Sequence, residues 1–148
     1  MSFPHTFLTT KKAFSRLISP FVPSTRLQDG VKVGLDVPVE DEVAYLNLVG
    51  MSPFLGRVFP RNWHHYSRYR SFDQASEDEL LKWKDSVFRF AQKLQYHYGG
   101  EQLLMKTPVH IARIRHLLSI FPDALFVHIR RHPRAVLRSK LHAVKLID

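Results

Sequence analysis

The fold that this sequence predicts depends on the stretch Leu103–Ser139, LLMKTPVHIARIRHLLSIFPDALFVHIRRHPRAVLRS. It opens with a short apolar run, Leu103–Met105, which follows two glycines and is typical of a buried strand. Apolar residues then recur at helical spacing as far as Pro122, and a second apolar run, Ala124–Ile129, predicts another strand. The last helix is predicted to begin at Pro133, because proline suits the first position of a helix.

This order of strand, helix, strand and helix predicts two parallel strands joined by a right-handed crossover. The fold class that follows is α/β, with a partial parallel sheet in residues 101–148 and a mainly helical region in residues 1–100. In such sheets, ligands bind at the carboxyl ends of the strands. Here these ends are Lys106–Pro108 and Arg130–Pro133, which are both basic. We therefore expect two positive loops to approach one anionic ligand.

The first hundred residues carry helix signals. Apolar residues in Thr6–Ile18 predict a short helix, and the acids Glu40–Glu42 precede a second helical pattern that Gly50 would end. Ser76–Glu79 has the sequence of a capping box, and it precedes the strongest helical pattern in the chain, which ends near Gly99. Two proline- and glycine-containing segments are predicted to be irregular, residues 19–39 and 51–73.

The composition indicates a globular protein with a basic surface. Apolar residues make up 45% of the 148 residues, and 22 Lys and Arg oppose 13 Asp and Glu, which gives a formal net charge of +9. Residues 101–148 hold nine of the basic side chains and three of the acidic ones. A positive field implies an anionic partner, which could be a nucleic acid, an anionic membrane face or a phosphate-rich small ligand. A solvated basic face without any partner is the alternative.

Several classes of protein are excluded or disfavoured by the same composition. The absence of cysteine excludes a disulfide framework, a thiolate metal site and a cysteine nucleophile. No apolar run approaches the roughly 18 residues that a membrane span needs. The first twelve residues lack the pattern of a signal peptide, so a cytoplasmic location is expected.

The stretch Leu103–Ser139 resembles the sulfotransferases that use 3′-phosphoadenosine 5′-phosphosulfate, and more narrowly their bacterial-type branch. The matching residues are Leu103–Pro108, His110, Arg113, Leu117-Leu118, Phe121–Ala124, Phe126–Ile129, Arg131, Pro133 and Ser139. Upstream, Pro38–Glu42 is similar to a PQEDE motif of the family. The resemblance covers most of the chain. It implies a P-loop-like fold and transfer of a sulfuryl group to a hydroxyl or amine acceptor, without a metal.

The resemblance also implies where the nucleotide binds. In the family, an arginine before X-Pro and a serine eight positions later hold the 3′-phosphate, and Arg131 and Ser139 have this spacing. The planar, permanently charged guanidinium is suited to phosphate, and a helical serine adds a hydroxyl donor. Arg130 and Arg138 are neighbouring alternatives.

Two catalytic residues follow from the same resemblance. Sulfuryl transfer removes a proton from the acceptor and places charge on the leaving phosphate, so that a base and a cation are needed. The resemblance implies that His110 is the base and Lys106 the cation. Glu40 or Glu42 is an alternative base, although an acid at the start of a helix is also explained by the helix dipole.

One element of the family pattern is missing. The glycine-containing, Ser/Thr-rich loop that wraps the phosphosulfate with backbone N–H groups is not found in Ser2–Thr10, which has no glycine. We therefore expect residues 1–148 to form a single partial sulfotransferase domain. This truncated form is expected to bind the nucleotide weakly and to be inactive.

Two other functions are compatible with the sequence. The basic charge, and the alternation of aromatic and basic residues in Trp63–Arg70, are typical of a nucleic-acid-binding module, although the same stretch could pack on the long helix. A non-catalytic fragment is the other alternative, with an exposed sheet edge that a partner chain would complete. A metal site at His64, His65 and His97 is disfavoured, because no carboxylate accompanies them at helical ligand spacing.

Overall fold

A computed structural model describes residues 4–18, 20 and 40–145, and within these ranges every regular element is helical. The α-helices in chain order are α1 (Phe7–Ile18), α2 (Glu42–Val49), α3 (Leu55–Val58), α4 (Trp63–Ser67), α5 (Glu77–His97), α6 (Ile114–Ile120) and α7 (Pro133–Lys145). Short 3-10 helices lie on both sides of α4 and before α6, at Pro60–Asn62, Arg68–Arg70 and Pro108–Ala112.

The prediction of an α/β fold with a P-loop-like parallel sheet in the last third is wrong for the described residues. Leu103–Met105 and Ala124–Ile129 run as irregular backbone, and no backbone hydrogen bond joins the two segments. An apolar run favours burial, whereas a strand also needs a neighbouring strand to pair with its backbone groups. Leu104 is 94% exposed and Leu125 is 87% exposed, so neither run is buried along its whole length. The sheet edge expected to recruit a partner chain is therefore also absent from these residues.

The helix predictions are largely confirmed. Helix α2 ends at Gly50, whose φ of 68° lies in the left-handed region and whose N–H donates to the carbonyl of Leu46. Helices α1 and α7 lie where the apolar spacing predicted them, and α7 begins at Pro133. Residues 51–73, which were predicted to be irregular, instead form α3, α4 and two 3-10 helices. The predicted loop at residues 19–39 lies outside the described residues, apart from Pro20.

Helix α5 begins with the predicted capping box. The Oγ of Ser76 accepts a hydrogen bond from the N–H of Glu79 at 3.2 Å, and Oε2 of Glu79 accepts one from the N–H of Ser76 at 2.9 Å. The other carboxylate oxygen of Glu79 accepts from the Tyr69 hydroxyl at 2.7 Å and from Nη2 of Arg68 at 2.6 Å. The hydrogen bond from the Ser76 backbone is the main cause that lowers the pKa of Glu79, followed by the one from Tyr69.

Replacing Ser76 with alanine is expected to lower the free energy of unfolding by about 1 kcal/mol, because the N–H of Glu79 loses its acceptor. Ser119→Ala is a suitable control, since Ser119 is exposed and its hydroxyl donates to the His116 carbonyl, one turn earlier in α6. That variant is expected to change stability by no more than about 0.5 kcal/mol. Urea denaturation measures both, and equal losses would contradict the capping role.

The hydrophobic core is centred on α5. Trp83, Val87 and Phe90 are buried along one side of this helix. Tyr45 of α2 meets Trp83 and Phe90 edge to face, with ring centroids 6.2 and 5.8 Å apart, and Leu117 of α6 belongs to the same buried cluster. Packing α2 and α6 on one helix brings the start of α2 close to the residues that precede α6.

Helix α7 and the segment before it have a different environment. Every residue from Leu125 to His142 is exposed. The basic side chains of this exposed region are Arg130, Arg131, Arg134, Arg138 and Lys140. None of the helices in the described ranges combines the length and the apolar character needed to cross a bilayer.

Candidate active site

The core packing pairs three consecutive acids with three basic side chains. Glu40, Asp41 and Glu42 stand at the start of α2, and their partners are Lys106, His110 and Arg113. The partners are separated by four and then three positions, which is the spacing of one face of a helical segment. The pairs become less exposed along the series, from Glu40–Lys106 at the surface to Glu42–Arg113 in the interior.

The innermost pair joins the start of α2 to the start of α6. Nη1 of Arg113 donates to Oε2 of Glu42 at 2.6 Å, Nη2 donates to Oε1 at 3.1 Å, and neither side chain has any exposed surface. Nε and Nη2 of Arg113 also donate to the carbonyl of Tyr69. The guanidinium lies over the ring of Trp83, with its carbon 4.8 Å from the ring centroid. Arg113 therefore anchors the acidic run to the core.

The middle pair joins a histidine to a nearly buried carboxylate. Nε2 of His110 lies 2.7 Å from Oδ2 of Asp41, and their side chains are 15% and 7% exposed. Nδ1 of His110 and Oδ1 of Asp41 are buried, and neither has a hydrogen-bond partner among the described residues. Burial, and then the nearby Asp41 carboxylate, raise the pKa of the Tyr45 hydroxyl well above its usual value. A carboxylate, an imidazole and a phenol thus share a site with little access to water.

The outer pair leaves its cation accessible. Nζ of Lys106 lies 2.6 Å from Oε1 of Glu40, and the side chain of Lys106 is 70% exposed. Exposed pairs of this kind contribute about 0–1 kcal/mol to stability. An anionic ligand could therefore replace Glu40 as the partner of Lys106 without disturbing the core.

The structure brings together one predicted pair of site residues and leaves the other pair apart from it. Lys106 and His110 both contact the acidic run. Arg131 and Ser139 lie just before α7 and within it, and both are exposed. In the described part of the chain, neither of these two side chains forms a hydrogen bond or ion pair, and none of the described contacts links them to Lys106 or His110.

The geometry also bears on the alternative bases. Both carboxylate oxygens of Glu42 are bonded to Arg113, and no part of its side chain is exposed, so an acceptor cannot reach it. Glu40 is engaged by Lys106. Asp41 and Arg113 were not among the predicted site residues. The signal that could have identified them is the matching of three consecutive acids with bases at positions 106, 110 and 113.

The aromatic and basic stretch Trp63–Arg70 forms part of the core as well as part of the surface. Tyr69 is buried and lies against Phe72, with ring centroids 5.7 Å apart, so its ring is not free to stack on a nucleotide base. Trp63 is exposed, with the guanidinium of Arg70 over its ring at 5.8 Å. A shallow cleft of about 290 Å³ lies here, lined by Trp63, Ser67, Arg68, Arg70, Ser71 and Gln74.

Comparison with known proteins gives a consistent set of matches. Residues 50–146 match a family model whose description is "Sulfotransferase family". The chain is 35% identical over 144 residues to the omega-hydroxy-beta-dihydromenaquinone-9 sulfotransferases of Mycobacterium bovis and Mycobacterium tuberculosis. These alignments cover 97% of the chain and 37% of each relative's length, so the chain spans well under half of the curated relatives it matches. No solved structure matches the chain.

Proposed function

The chain belongs to the sulfotransferase family, as the sequence resemblance predicted, and on that premise we propose that it transfers a sulfuryl group from 3′-phosphoadenosine 5′-phosphosulfate to a hydroxyl acceptor. The observation that carries the proposal is the placement of Lys106 and His110 side by side on the acidic run. All four predicted site residues lie within the matched residues 50–146. The relatives are named omega-hydroxy-beta-dihydromenaquinone-9 sulfotransferases, which supports a hydroxyl rather than an amine as the acceptor.

The proposed reaction needs two groups from the protein. The acceptor oxygen forms a bond to sulfur while the bond between sulfur and the phosphate oxygen breaks, and adenosine 3′,5′-bisphosphate leaves. His110 takes the proton of the acceptor, and the ammonium group of Lys106 stabilises the charge that develops on the leaving oxygen. Lys106 suits this role because its present partner, Glu40, holds it only at the surface.

The 3′-phosphate of the donor is proposed to bind at the start of α7. The residues present fit such an anion, because Arg131 is an exposed guanidinium without an acidic partner among the described residues, and no acid stands between Asp123 and Asp148. The start of α7 adds the positive end of the helix dipole. Ser139 lies within the same helix and can add a hydroxyl donor.

Calorimetric titration with adenosine 3′,5′-bisphosphate tests this proposal. Replacing Arg131 with alanine is expected to weaken binding about tenfold or more, because a charge-assisted hydrogen bond to phosphate contributes roughly 1.5–3 kcal/mol. Arg89→Ala is the matched control, since Arg89 is an exposed arginine of α5 paired with Asp85. That variant is expected to bind like the unmodified chain.

Three results would count against the proposal. A folded chain that binds no nucleotide, or equal loss of binding in the Arg131 and Arg89 variants, would contradict the site at α7. Binding of single-stranded DNA that falls steeply with salt, and that the bisphosphate does not compete with, would favour the nucleic-acid alternative.

A further inference from the structure

We propose that the shallow cleft beside Trp63 binds a small aromatic anion. This Trp63 cleft has a volume of about 290 Å³ and is lined by one indole, two guanidinium groups, two hydroxyls and one carboxamide, from Trp63, Ser67, Arg68, Arg70, Ser71 and Gln74. Pockets for drug-sized ligands measure about 300–1,000 Å³, so this one suits a ligand of one ring and one anionic group. The cleft shares no residue with the acidic run or with the site proposed at α7.

The charge of the cleft favours a ligand with a single negative charge. No acid stands between Glu42 and Asp73, a stretch that holds four arginines. Arg68 is paired with Glu79 at 2.6 Å, so its charge is already balanced. Arg70 is exposed, and its guanidinium forms no ion pair or hydrogen bond within the described part of the chain. Its uncompensated charge matches a sulfate ester or a carboxylate.

Trp63 supplies an aromatic surface in a fixed position. Its side chain is 38% exposed and lines the cleft. The indole packs closely on Gly56, where a Cβ atom would lie only 2.6 Å from the ring carbon Cε3. The guanidinium of Arg70 lies 5.8 Å from the centroid of the same ring. A planar ligand that stacks on the exposed part of the indole can therefore bring its anionic group to Arg70.

Two further side chains of the lining can donate hydrogen bonds to the anion. The hydroxyl of Ser71 accepts from the N–H of Asp73 at 3.5 Å, and its own proton has no acceptor among the described residues. The carboxamide of Gln74 forms no hydrogen bond within the described ranges. The hydroxyl of Ser67, in contrast, already donates to the carbonyl of His64. Ser71 and Gln74 thus add neutral donors beside the charge of Arg70.

A single-stranded nucleic acid fits this cleft less well. Such strands stack successive bases on several aromatic side chains. Tyr69 is buried, and Tyr66 is half-buried against Phe59, with ring centroids 6.2 Å apart. Of the tryptophan and tyrosine rings in the described stretch Trp63–Arg70, the exposed one is that of Trp63. One exposed ring and one uncompensated guanidinium favour a single small ligand.

Titration with 4-nitrophenyl sulfate and with 4-nitrobenzoate, followed by ¹H–¹⁵N correlation spectra, measures binding at the cleft itself. The chain has two tryptophans, and Trp63→Phe identifies the indole signal of Trp63. We expect this signal to shift with a dissociation constant of roughly 1 mM, as for a small ligand in a shallow site. The signal of Trp83, whose Nε1 is buried, is expected to stay in place. The tighter of the two probes identifies the preferred anionic group.

Two arginine variants separate the cleft from the general basic surface. Arg70→Gln is expected to weaken binding about fivefold or more, because the charge-assisted contact is lost. Arg61→Gln removes an exposed charge from the same acid-free stretch but outside the cleft, and is expected to change the dissociation constant less than about twofold. Arg131→Ala is expected to leave this binding unchanged, so that failure of the nucleotide site at α7 is detected separately.

Several results would overturn the proposal. One is the absence of a saturable shift of the Trp63 signal with either anion, and another is an equal loss of binding in the Arg70 and Arg61 variants. Neutral 4-nitroanisole or inorganic sulfate binding as tightly as the aromatic anions would also overturn it, and these probes use the unmodified chain, so they decide even if a variant does not fold. Displacement of the aromatic anion by single-stranded DNA, with an affinity that falls steeply with salt, would assign the cleft to nucleic acid instead.

Discussion

Replacing Arg113 with methionine is expected to lower the free energy of unfolding by about 3–5 kcal/mol, because it leaves the carboxylate of Glu42 buried without its counterion. Glu42 has no exposed surface in the folded chain, so water cannot replace the lost guanidinium. The total stability of a domain is typically about 5–15 kcal/mol, so that this single change removes a large part of it. Urea denaturation followed by circular dichroism gives the value.

A second substitution separates the loss of charge pairing from the loss of packing. In the double variant Glu42→Leu with Arg113→Met, both charges are replaced by apolar side chains, and most of the stability is expected to return. Recovery should be incomplete, since the carbonyl of Tyr69 also loses its donors, at a cost of about 1–3 kcal/mol. A double variant as unstable as the sum of the two single variants would contradict the role assigned to this pair.

A matched exposed pair serves as the control for burial. Arg89 and Asp85 are one helical turn apart on α5, 2.8 Å from each other, and their side chains are mostly exposed. Arg89→Met is expected to cost less than about 1 kcal/mol, because water solvates the remaining carboxylate. The difference between the losses of unfolding free energy in Arg113→Met and Arg89→Met measures how much burial of the ion pair adds to the cost of breaking it.

The three acid–base pairs of the site have different roles, which follow from how deeply each pair is buried. The buried Glu42–Arg113 pair fixes the backbone, the Asp41–His110 pair orients a ring, and the exposed Glu40–Lys106 pair leaves a cation available. A single short acidic run can serve all three because it enters α2 from the surface and reaches the interior within one turn. Because exposure falls from Glu40 to Glu42, Glu40 is the acid of this run that an anionic ligand can most easily replace as the partner of a basic side chain.

Local signals predicted the helix boundaries well. Ser76 and Glu79 form their capping box through side-chain and backbone contacts within four residues, and Gly50 ends α2 through its own backbone angle. Such features depend on neighbours in sequence, so that the sequence alone is enough to identify them. The same holds for Pro133 at the start of α7.

The misassigned elements depend on distant partners. The apolar run Leu103–Met105 was assigned to a strand, yet a strand forms only where another segment offers paired backbone groups, and no described segment does so. The contact between Asp41 and His110 spans 69 positions. It arises because α2 and α6 both pack on α5, and neither local spacing nor composition specifies that packing. The sequence showed the complementary charges without showing which of them meet.

Replacing Trp83 with alanine is the second change expected to have a large effect, a loss of about 3–5 kcal/mol in the free energy of unfolding. Trp83 has no exposed surface, and its ring lies 4.9 Å from that of Phe72 and 6.2 Å from that of Tyr45. Its removal leaves a cavity in the centre of the core and takes away the face on which the Arg113 guanidinium rests. Chemical denaturation of the variant measures the loss.

The other tryptophan provides the control. Trp63 is 38% exposed and lines the shallow cleft, and Trp63→Ala is expected to cost much less, about 1 kcal/mol. Because Trp83 and Arg113 are in contact, the loss from combining Trp83→Ala with Arg113→Met should differ from the sum of the two single losses. Equal losses of unfolding free energy for the two tryptophans would contradict the central place of Trp83 in the core. Strict additivity of the Trp83 and Arg113 losses would mean that the contribution of Arg113 does not depend on the ring of Trp83.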